Sequence, residues 1–522
     1  MSGMSMRSPF LLREGGLAFW RWTERSIDAV SGGALNPLRH LGSLGFLCFW
    51  LLALSGSVLY VVLDTSAEGA YRSINEMSRQ PWYLGGWLRS LHRYAADAFV
   101  VFTMAHLARE WLFGRYLSFR RFSWLTGVPL LPFAFVCAIG GFWLNWDRLG
   151  QFSAIATAEW LDALPVFASP LTRNFLHVAS VGDRLFSLFV FIHLGVPLLL
   201  VFGLWFHIQR ISRAAVFPPR RLAVGMTSTL VALSVALPVV SQGEADLSRV
   251  PATLALDWWL LFIHPLMYGT SAGVVWVLVA AAMTLLFVLP WLSRPLPVAV
   301  AKVDPANCNG CRRCFDDCPY AAITMVPHPN AKIGRQLAQV SADLCASCGI
   351  CVGSCPSSTP FRSAAELVTG IDMPQMPLNG LRQQLESQLS AMQVEDRIVV
   401  IGCDRGANVK ALAGADVMSM SLICTGMLPP SFIEYALRAG AAGVLVTGCS
   451  GGGCEFRLGQ LWTEQRLQGQ REPHLRTSVP RERLGVVWAD IGDETALLDA
   501  LGALRQRITA SRQPAILSMQ HG

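Results

Sequence analysis

The 522-residue sequence contains no GxGxxG dinucleotide fingerprint, no phosphate-cradling loop, no paired carboxylates and no nucleophile with its base. These absences exclude a chain that oxidises a soluble substrate alone with a bound dinucleotide. No nucleic-acid motif occurs either, and the net charge of +7 is explained by arginines flanking apolar segments. Charge is scarce, at 15%, and unevenly spread. Uncharged runs fill 41–63, 122–146, 185–209, 222–243 and 258–293. Each is long enough for a hydrocarbon core of ~30 Å, which takes ~20 apolar residues. A sixth, amphipathic segment at 89–113 carries only Arg93 and Asp97 between Arg89 and Arg109. The expectation is six spans, the last run holding an interfacial stretch and then a helix near 271–292. Charged and polar residues return after 295, and the length suggests about three domains.

Basic residues orient the spans. The loop 114–122 holds Arg115, Arg120 and Arg121, the loop 210–221 holds Arg210, Arg213, Arg220 and Arg221, and neither contains an acid. The alternate loops mix Asp64, Glu68, Glu76, Asp147, Glu159, Asp162, Glu244 and Asp246 with arginines. The first set reads as cytoplasmic. Both termini are then expected on that face of the cytoplasmic (inner) membrane, and the arginine-rich first 37 residues, which lack a signal-type apolar core, agree.

Inside the spans lie two histidine pairs, His92 with His106 and His193 with His207, each fourteen residues apart. On a helix that interval is ~21 Å of rise and leaves the side chains within ~40° of one face. Single buried histidines are usually packed or hydrogen-bonded, but the same interval on two helices suits two bis-histidine iron sites. Gly42 and Gly56, and Gly127 and Gly141, share the interval, and glycine permits a flat group to approach closely. The stretches LRSLHRYAADAFVVFTMAHLAREWLFG, WLTGV and GGFWLNWD resemble cytochrome b of the bc1 and b6f complexes over about residues 15–293. The resemblance implies a dihaem bundle in which His92 and His193 hold an outer haem b and His106 and His207 an inner one. It implies that Arg89 and Arg109 neutralise haem propionates and that the four glycines pack on the haems. It also implies a homodimer through this domain. The family's arginine before the first histidine of the fourth helix is replaced by Phe189, with Arg184 upstream. ALDWWLLFIHPLMY resembles the Pro-Glu-Trp-Tyr region bordering the family's outer quinol site, with Leu256 for the proline and Asp257 for the glutamate. Asp257 is the candidate for quinone proton transfer, against an interfacial aromatic belt.

The charged half contains CNGCRRCFDDCP at 308–319 and CASCGICVGSCP at 345–356. Each is a C-x2-C-x2-C-x3-C-P run of the two-cluster bacterial ferredoxins, whose fourth cysteine ligates the other cluster. This assigns Cys308, Cys311, Cys314 and Cys355 to one [4Fe–4S] centre and Cys345, Cys348, Cys351 and Cys318 to the other. Zinc is the alternative for such spacings. Disulfides are disfavoured on a reducing face. Beyond a polar linker at 373–395, RIVVIG, ADVMSMSL, AAGVLVTG and LGVVWAD alternate with helical stretches, the pattern of a small parallel α/β sheet. Cys403, Cys424, Cys449 and Cys454 fall near the carboxyl ends of its strands, where ligand sites form. LICTGMLPPSFIEYALRAGAAGVLVTGCSGGGCEF resembles the iron–sulfur delta subunit of methyl-viologen-reducing hydrogenases over about 396–492, implying one [2Fe–2S] cluster on these four cysteines. A dithiol at Cys449 and Cys454, or zinc, is the alternative. Cys48 and Cys137, isolated in spans, read as apolar packing.

The expected layout is an amphipathic cytoplasmic segment at 1–37, a four-helix dihaem region at 38–213 and two further transmembrane helices with a quinone-site-like loop at 214–295. An α+β two-[4Fe–4S] ferredoxin domain at 296–372, the linker, and an α/β domain at 396–522 follow. This order suits a quinone-reactive membrane subunit of a multi-subunit oxidoreductase, fed by a cytosolic flavin- or metal-dependent dehydrogenase. The delta-subunit resemblance adds a flavoprotein of the heterodisulfide-reductase type as a partner. Quinol oxidation toward a low-potential cytosolic acceptor, or an anchor and relay without its own quinone site, are the alternatives.

Overall fold

The computed structural model describes residues 8–80, 84–166, 170–171, 176–177, 180–211, 214–250, 253–292, 299–361 and 366–519. Arg213 of the second basic loop, residues 1–7 of the N-terminal segment and the boundary at 295/296 lie outside these. The chain divides into two compact units, Met1–Gln209 with Ala214–Arg294, and Arg210–Arg213 with Pro295–Gly522.

The first unit is helical. Among the described residues four helices are long and apolar enough to cross a membrane: Leu41–Val62, Arg121–Asn145, Asp183–Ile208 and Ala272–Leu292. Much of their surface faces outward, with Val61 84% and Phe191 72% exposed. Exposed apolar surface of this kind suits a lipid environment. The other two expected spans also form helices but fail that measure. Leu84–Leu112 carries Arg89, Arg93, Asp97, Arg109 and Glu110, and Arg220–Ala236 has 17 residues. The third span is interrupted at 128–129, where Pro129 supplies no N–H to the ladder.

Leu41–Val62 packs along Leu84–Leu112, and Leu130–Asn145 along Asp183–Ile208. Cys48, Phe49, Phe99, Leu130, Ala134 and Leu200 form a core shared by all four. The amphipathic helix Ser8–Ser31 is pinned by buried Asn36, whose amide donates to Glu24 O at 2.9 Å and to Asp28 at 2.7 Å. Its Oδ1 accepts from Leu38 N at 2.9 Å, capping the turn that leads into Leu41–Val62.

Among the described residues the second unit has eight strands. β1 (Lys302–Val303) pairs antiparallel with β4 (Ile371–Asp372), and β2 (Ile323–Pro327) with β3 (Gln336–Val340). The cysteine runs lie between β1 and β2 and between β3 and β4. β5 (Ile398–Cys403), β6 (Val417–Leu422), β7 (Gly443–Gly448) and β8 (Leu484–Trp488) make a parallel sheet in the order β6-β5-β7-β8. β5 and β7 are buried along their whole length, as central parallel strands covered on both faces must be. The four strand segments expected from the sequence all form.

The segment read as a linker is different. Residues Leu378–Ala391 are a helix whose Leu378, Leu381, Leu385 and Leu389 are buried in a core shared with β5 and β6. Their three- and four-residue spacing marks one apolar stripe on an otherwise polar helix.

Candidate haem and iron–sulfur sites

The histidines meet in two pairs. The ring centres of His92 and His193 are 6.3 Å apart, and those of His106 and His207 are 6.4 Å apart. First pairs with first and second with second, so the two helices run in the same direction and the register of the fourth follows. An imidazole nitrogen binds a first-row metal at roughly 2.0–2.1 Å and lies about 1.2 Å from its ring centre, so two trans ligands stand about 6.5 Å apart. The observed separations suit one iron between each pair.

The described hydrogen bonds fall on Nδ1, the nitrogen turned away from such a metal. His92 Nδ1 meets Ser55 Oγ at 2.9 Å, His193 Nδ1 meets the Cys137 carbonyl at 3.0 Å, and His207 Nδ1 meets Thr126 Oγ1 at 3.4 Å. Fixing Nδ1 as the protonated nitrogen leaves Nε2 as the ligand. Cys137, expected as packing, therefore also orients His193 through its backbone. The glycines sit against the histidines themselves. A Cβ would lie 3.3 Å from His106 Cε1 at Gly42, 3.0 Å from His92 Cε1 at Gly56, 2.8 Å from His207 Cε1 at Gly127 and 3.1 Å from His193 Cε1 at Gly141. Each glycine makes room for one ligand ring.

Arg109 is buried at the His106 end of its helix. Its Nε donates to Glu24 Oε1 at 2.9 Å, and its buried Nη2 has no partner among the described residues. An unspent, buried guanidinium N–H is what a haem carboxylate requires. Arg89 Nη1 donates to Ser78 Oγ at 3.3 Å. Phe189, at the family's arginine position, packs on Trp143 with ring centres 5.0 Å apart, whereas Arg184 is exposed. Asp257 is ion-paired with Arg93, the residue after His92, and its Oδ1 accepts from Trp259 N at 3.1 Å and Leu260 N at 2.8 Å. Arg93 also donates to Asp97 at 2.6 Å.

The sequence reading passed over His264, inside the quoted FIHPLMY stretch. It is 1% exposed, its Nε2 lies 3.0 Å from Thr157 Oγ1, and its Nδ1 is buried with no partner among the described residues. The available signal was a histidine in the uncharged run after the tryptophans, but it lacks the fourteen-residue repeat.

In the second unit the cysteines assort as the crossed pattern requires. A cavity of about 360 Å³ is lined by Cys308, Cys311, Cys314 and Cys355, and a smaller one by Cys318, Cys345, Cys348 and Cys351. Local backbone explains how each run curls. Gly310 and Arg312 flank Cys311 at φ 69° and 68°, and Ser347 and Gly349 flank Cys348 at φ 57° and 74°. These left-handed residues on either side of the second cysteine wrap the chain around a common centre. Burial pushes the Cys314 thiol up to about 12 and raises that of Cys351. A bound cation is then needed to convert these groups to thiolates.

Cys403, Cys449 and Cys454 form one buried cluster, with Cys403 Sγ 3.6 Å from Cys449 Sγ. A Cβ on Gly459 would lie 2.2 Å from Cys424 Sγ and 3.6 Å from Cys454 Sγ, so the fourth cysteine joins the group. Contact with the Cys449 thiol lowers Cys403, and contact with Cys424 lowers Cys454, while their donors are raised.

Three family models match the chain. Residues 26–215 match cytochrome b/b6/petB, residues 307–359 the 4Fe-4S dicluster domain, and residues 398–510 the delta subunit of methyl-viologen-reducing hydrogenase. A chain in a solved structure titled "Hyperthermophilic respiratory Complex III" is 20% identical over 49% of this chain and 75% of that one, with a TM-score of 0.38. Segments similar to cytochrome b, to a 4Fe–4S dicluster domain and to the hydrogenase delta subunit thus follow one another along the chain in that order, and the ALDWWLLFIHPLMY stretch lies beyond the cytochrome b match.

Proposed function

We propose that this protein is the membrane subunit that carries electrons between a soluble flavin- or metal-dependent dehydrogenase and the quinone pool. The observation that carries the reading is the pairing of four imidazoles at 6.3 and 6.4 Å on two parallel helices. When bound, two b haems, two [4Fe–4S] clusters and one [2Fe–2S] cluster would supply one-electron carriers. His92 and His193 hold one haem and His106 and His207 the other, with Ser55, Cys137 O and Thr126 fixing ring orientation. Arg109 Nη2, unpartnered among the described residues, would be offered to a propionate. The chain crosses six times, adding Leu84–Leu112 and Arg220–Ala236 to the four apolar helices, with both termini cytoplasmic. The acid-free arginine loops support this, and reporter fusions after residues 117 and 216 should both report the cytoplasm.

Quinone reacts at the level of His92, where Asp257 faces Arg93. Arg93 compensates the carboxylate until a proton is exchanged. A second reading places quinone near His106, and a specific observation favours it. An apolar cavity of about 510 Å³ is lined by Leu44, Phe102, Met226 and Leu230, with Arg221 beside them. Phe102 is one helical turn before His106. Reduction of a short-chain quinone by viologen-reduced protein in liposomes separates the two. Asp257→Asn should lower turnover roughly 100-fold, the usual scale of lost acid–base catalysis, with haem and iron unchanged. Normal turnover in that variant, with a steep loss in Met226→Trp, would establish the second reading. Loss in neither variant, with no quinone reduction by the parent, would sink both.

A further inference from the structure

Arg466 is not among the cysteine sets, yet among the described residues it is the largest fully buried side chain. Its Nη2 donates to Asp317 Oδ2 at 2.6 Å and to Ser354 Oγ at 2.7 Å, and its Nη1 donates to the Gly426 carbonyl at 2.8 Å. Ser354 Oγ donates in turn to Asp317 Oδ2 at 2.7 Å. The positions of the partners are informative. Asp317 precedes Cys318, Ser354 precedes Cys355, and Gly426 follows Cys424 by two residues. Arg466 thus links the segments of the two crossing cysteines of the ferredoxin region to a cysteine loop of the sheet domain, while Arg471 takes the other oxygen of Asp317.

The backbones around it leave no room for side chains. A Cβ on Gly353 would lie 2.3 Å from Gly426 O, one on Gly426 would lie 2.8 Å from Ile350 Cγ1, and one on Gly349 would lie 2.9 Å from Met427 Sδ. The turn after Cys424 is therefore seated on the helix Ile350–Ser354, which carries Cys351. A fully buried ion pair contributes little net stability against apolar packing. Its use here is registry, and a planar fork that reaches three acceptors does this where a lysine cannot.

We infer that Arg466 is a positioning residue. It holds the Cys318/Cys345/Cys348/Cys351 set as the direct electron-transfer neighbour of the Cys403/Cys424/Cys449/Cys454 set, with the Cys308/Cys311/Cys314/Cys355 set beyond. This rests on the proposed iron–sulfur function of these cysteines.

Electron paramagnetic resonance of the dithionite-reduced full chain tests it. The C-terminal cluster's signal should relax faster than an isolated cluster's, because a paramagnet is near. Cys348→Ser should remove that enhancement and Cys311→Ser should keep it. The reverse pattern, or no enhancement in the parent, overturns the assignment. Arg466→Gln should lose the enhancement at unchanged iron content, and backbone amides of 425–427 should exchange about tenfold faster or more, as expected when a buried pair is broken. If Arg466→Gln fails to accumulate, the double variant R466L/D317L replaces it. Parent-like melting without the enhancement supports positioning, whereas parent-like melting with the enhancement intact shows a purely structural pair. Absence of any C-terminal cluster signal in the parent would instead count against the functional reading. The exchange of 425–427 in Arg466→Gln would then judge the clamp alone, and unchanged exchange would overturn it.

Discussion

The two units solve one problem, presenting several ligands to one point, with opposite means. In the helical unit the ligands are side chains on rigid rods, and the helix repeat sets the spacing of His92 from His106 and of His193 from His207. In the cysteine-bearing unit most of the proposed ligands sit in loops, and left-handed residues beside Cys311 and Cys348 turn the chain. Glycine serves both but differently. At Gly42, Gly56, Gly127 and Gly141 the missing Cβ clears space for a ring, whereas at Gly310 it permits φ 69°, and a Cβ there would lie 2.2 Å from Gln336 O. A ring can tilt, but a backbone carbonyl held in the β2–β3 hairpin cannot. Ligands on rods should therefore be lost one site at a time and tolerate small insults, whereas ligands in loops should be intolerant of changes to the backbone.

The largest expected effect tests the independence of the rods. His106→Ala should lower noncovalent haem from about two per chain to about one, and His92→Ala should do the same while removing the other spectral component, as levels ~21 Å apart require. Loss of both haems in either variant, by pyridine haemochrome, would break the comparison. Next, Cys449→Ser should remove the C-terminal iron signal and about two of about ten irons, leaving both [4Fe–4S] signals in place. Stoichiometric zinc in the parent would show a structural metal instead. Gly310→Ala combines a left-handed backbone with a clash against a carbonyl, and anaerobic iron and sulfide assays should show the Cys308 set lost from most chains. Gly127→Ala, at 2.8 Å from a ring carbon, should weaken haem retention by the overpacking cost of about 1–3 kcal/mol. The smallest effect belongs to Gly42→Ala, whose Cβ would have 3.3 Å. Haem retention close to the parent's is expected, and a larger loss than in Gly127→Ala would remove the tilting argument.

Periodic features were legible in the sequence. The fourteen-residue interval, the doubled cysteine run and the strand segments of the parallel sheet are local patterns, and the structure brings each into the expected grouping. What escaped depends on contacts between distant residues. Glu24 meets Arg109 and Arg466 meets Asp317 across 85 and 149 residues, and no window of sequence relates such pairs. The Cys137 carbonyl was invisible because backbone acceptors carry no residue signature. The helix Leu378–Ala391 was missed for another reason. Its glutamines, serines and charged residues dominate the composition, and four leucines at helical spacing suffice to bury it. At Leu84–Leu112 Arg93 pairs with Asp97 and Asp257, contacts that a count of charges does not include.

The proposed exchange of the fourth cysteines has a consequence for how the protein is made. While the ribosome is still adding the 26 residues between Cys318 and Cys345, the first run has emerged with three of its own ligands and one belonging to a site not yet synthesised. The Cys318 set cannot be completed until Cys351 has left the exit tunnel, nor the Cys308 set until Cys355 has. Cluster delivery to this region is therefore an event that follows translation of both runs, and an oxidising encounter during that interval would find the early cysteines bare.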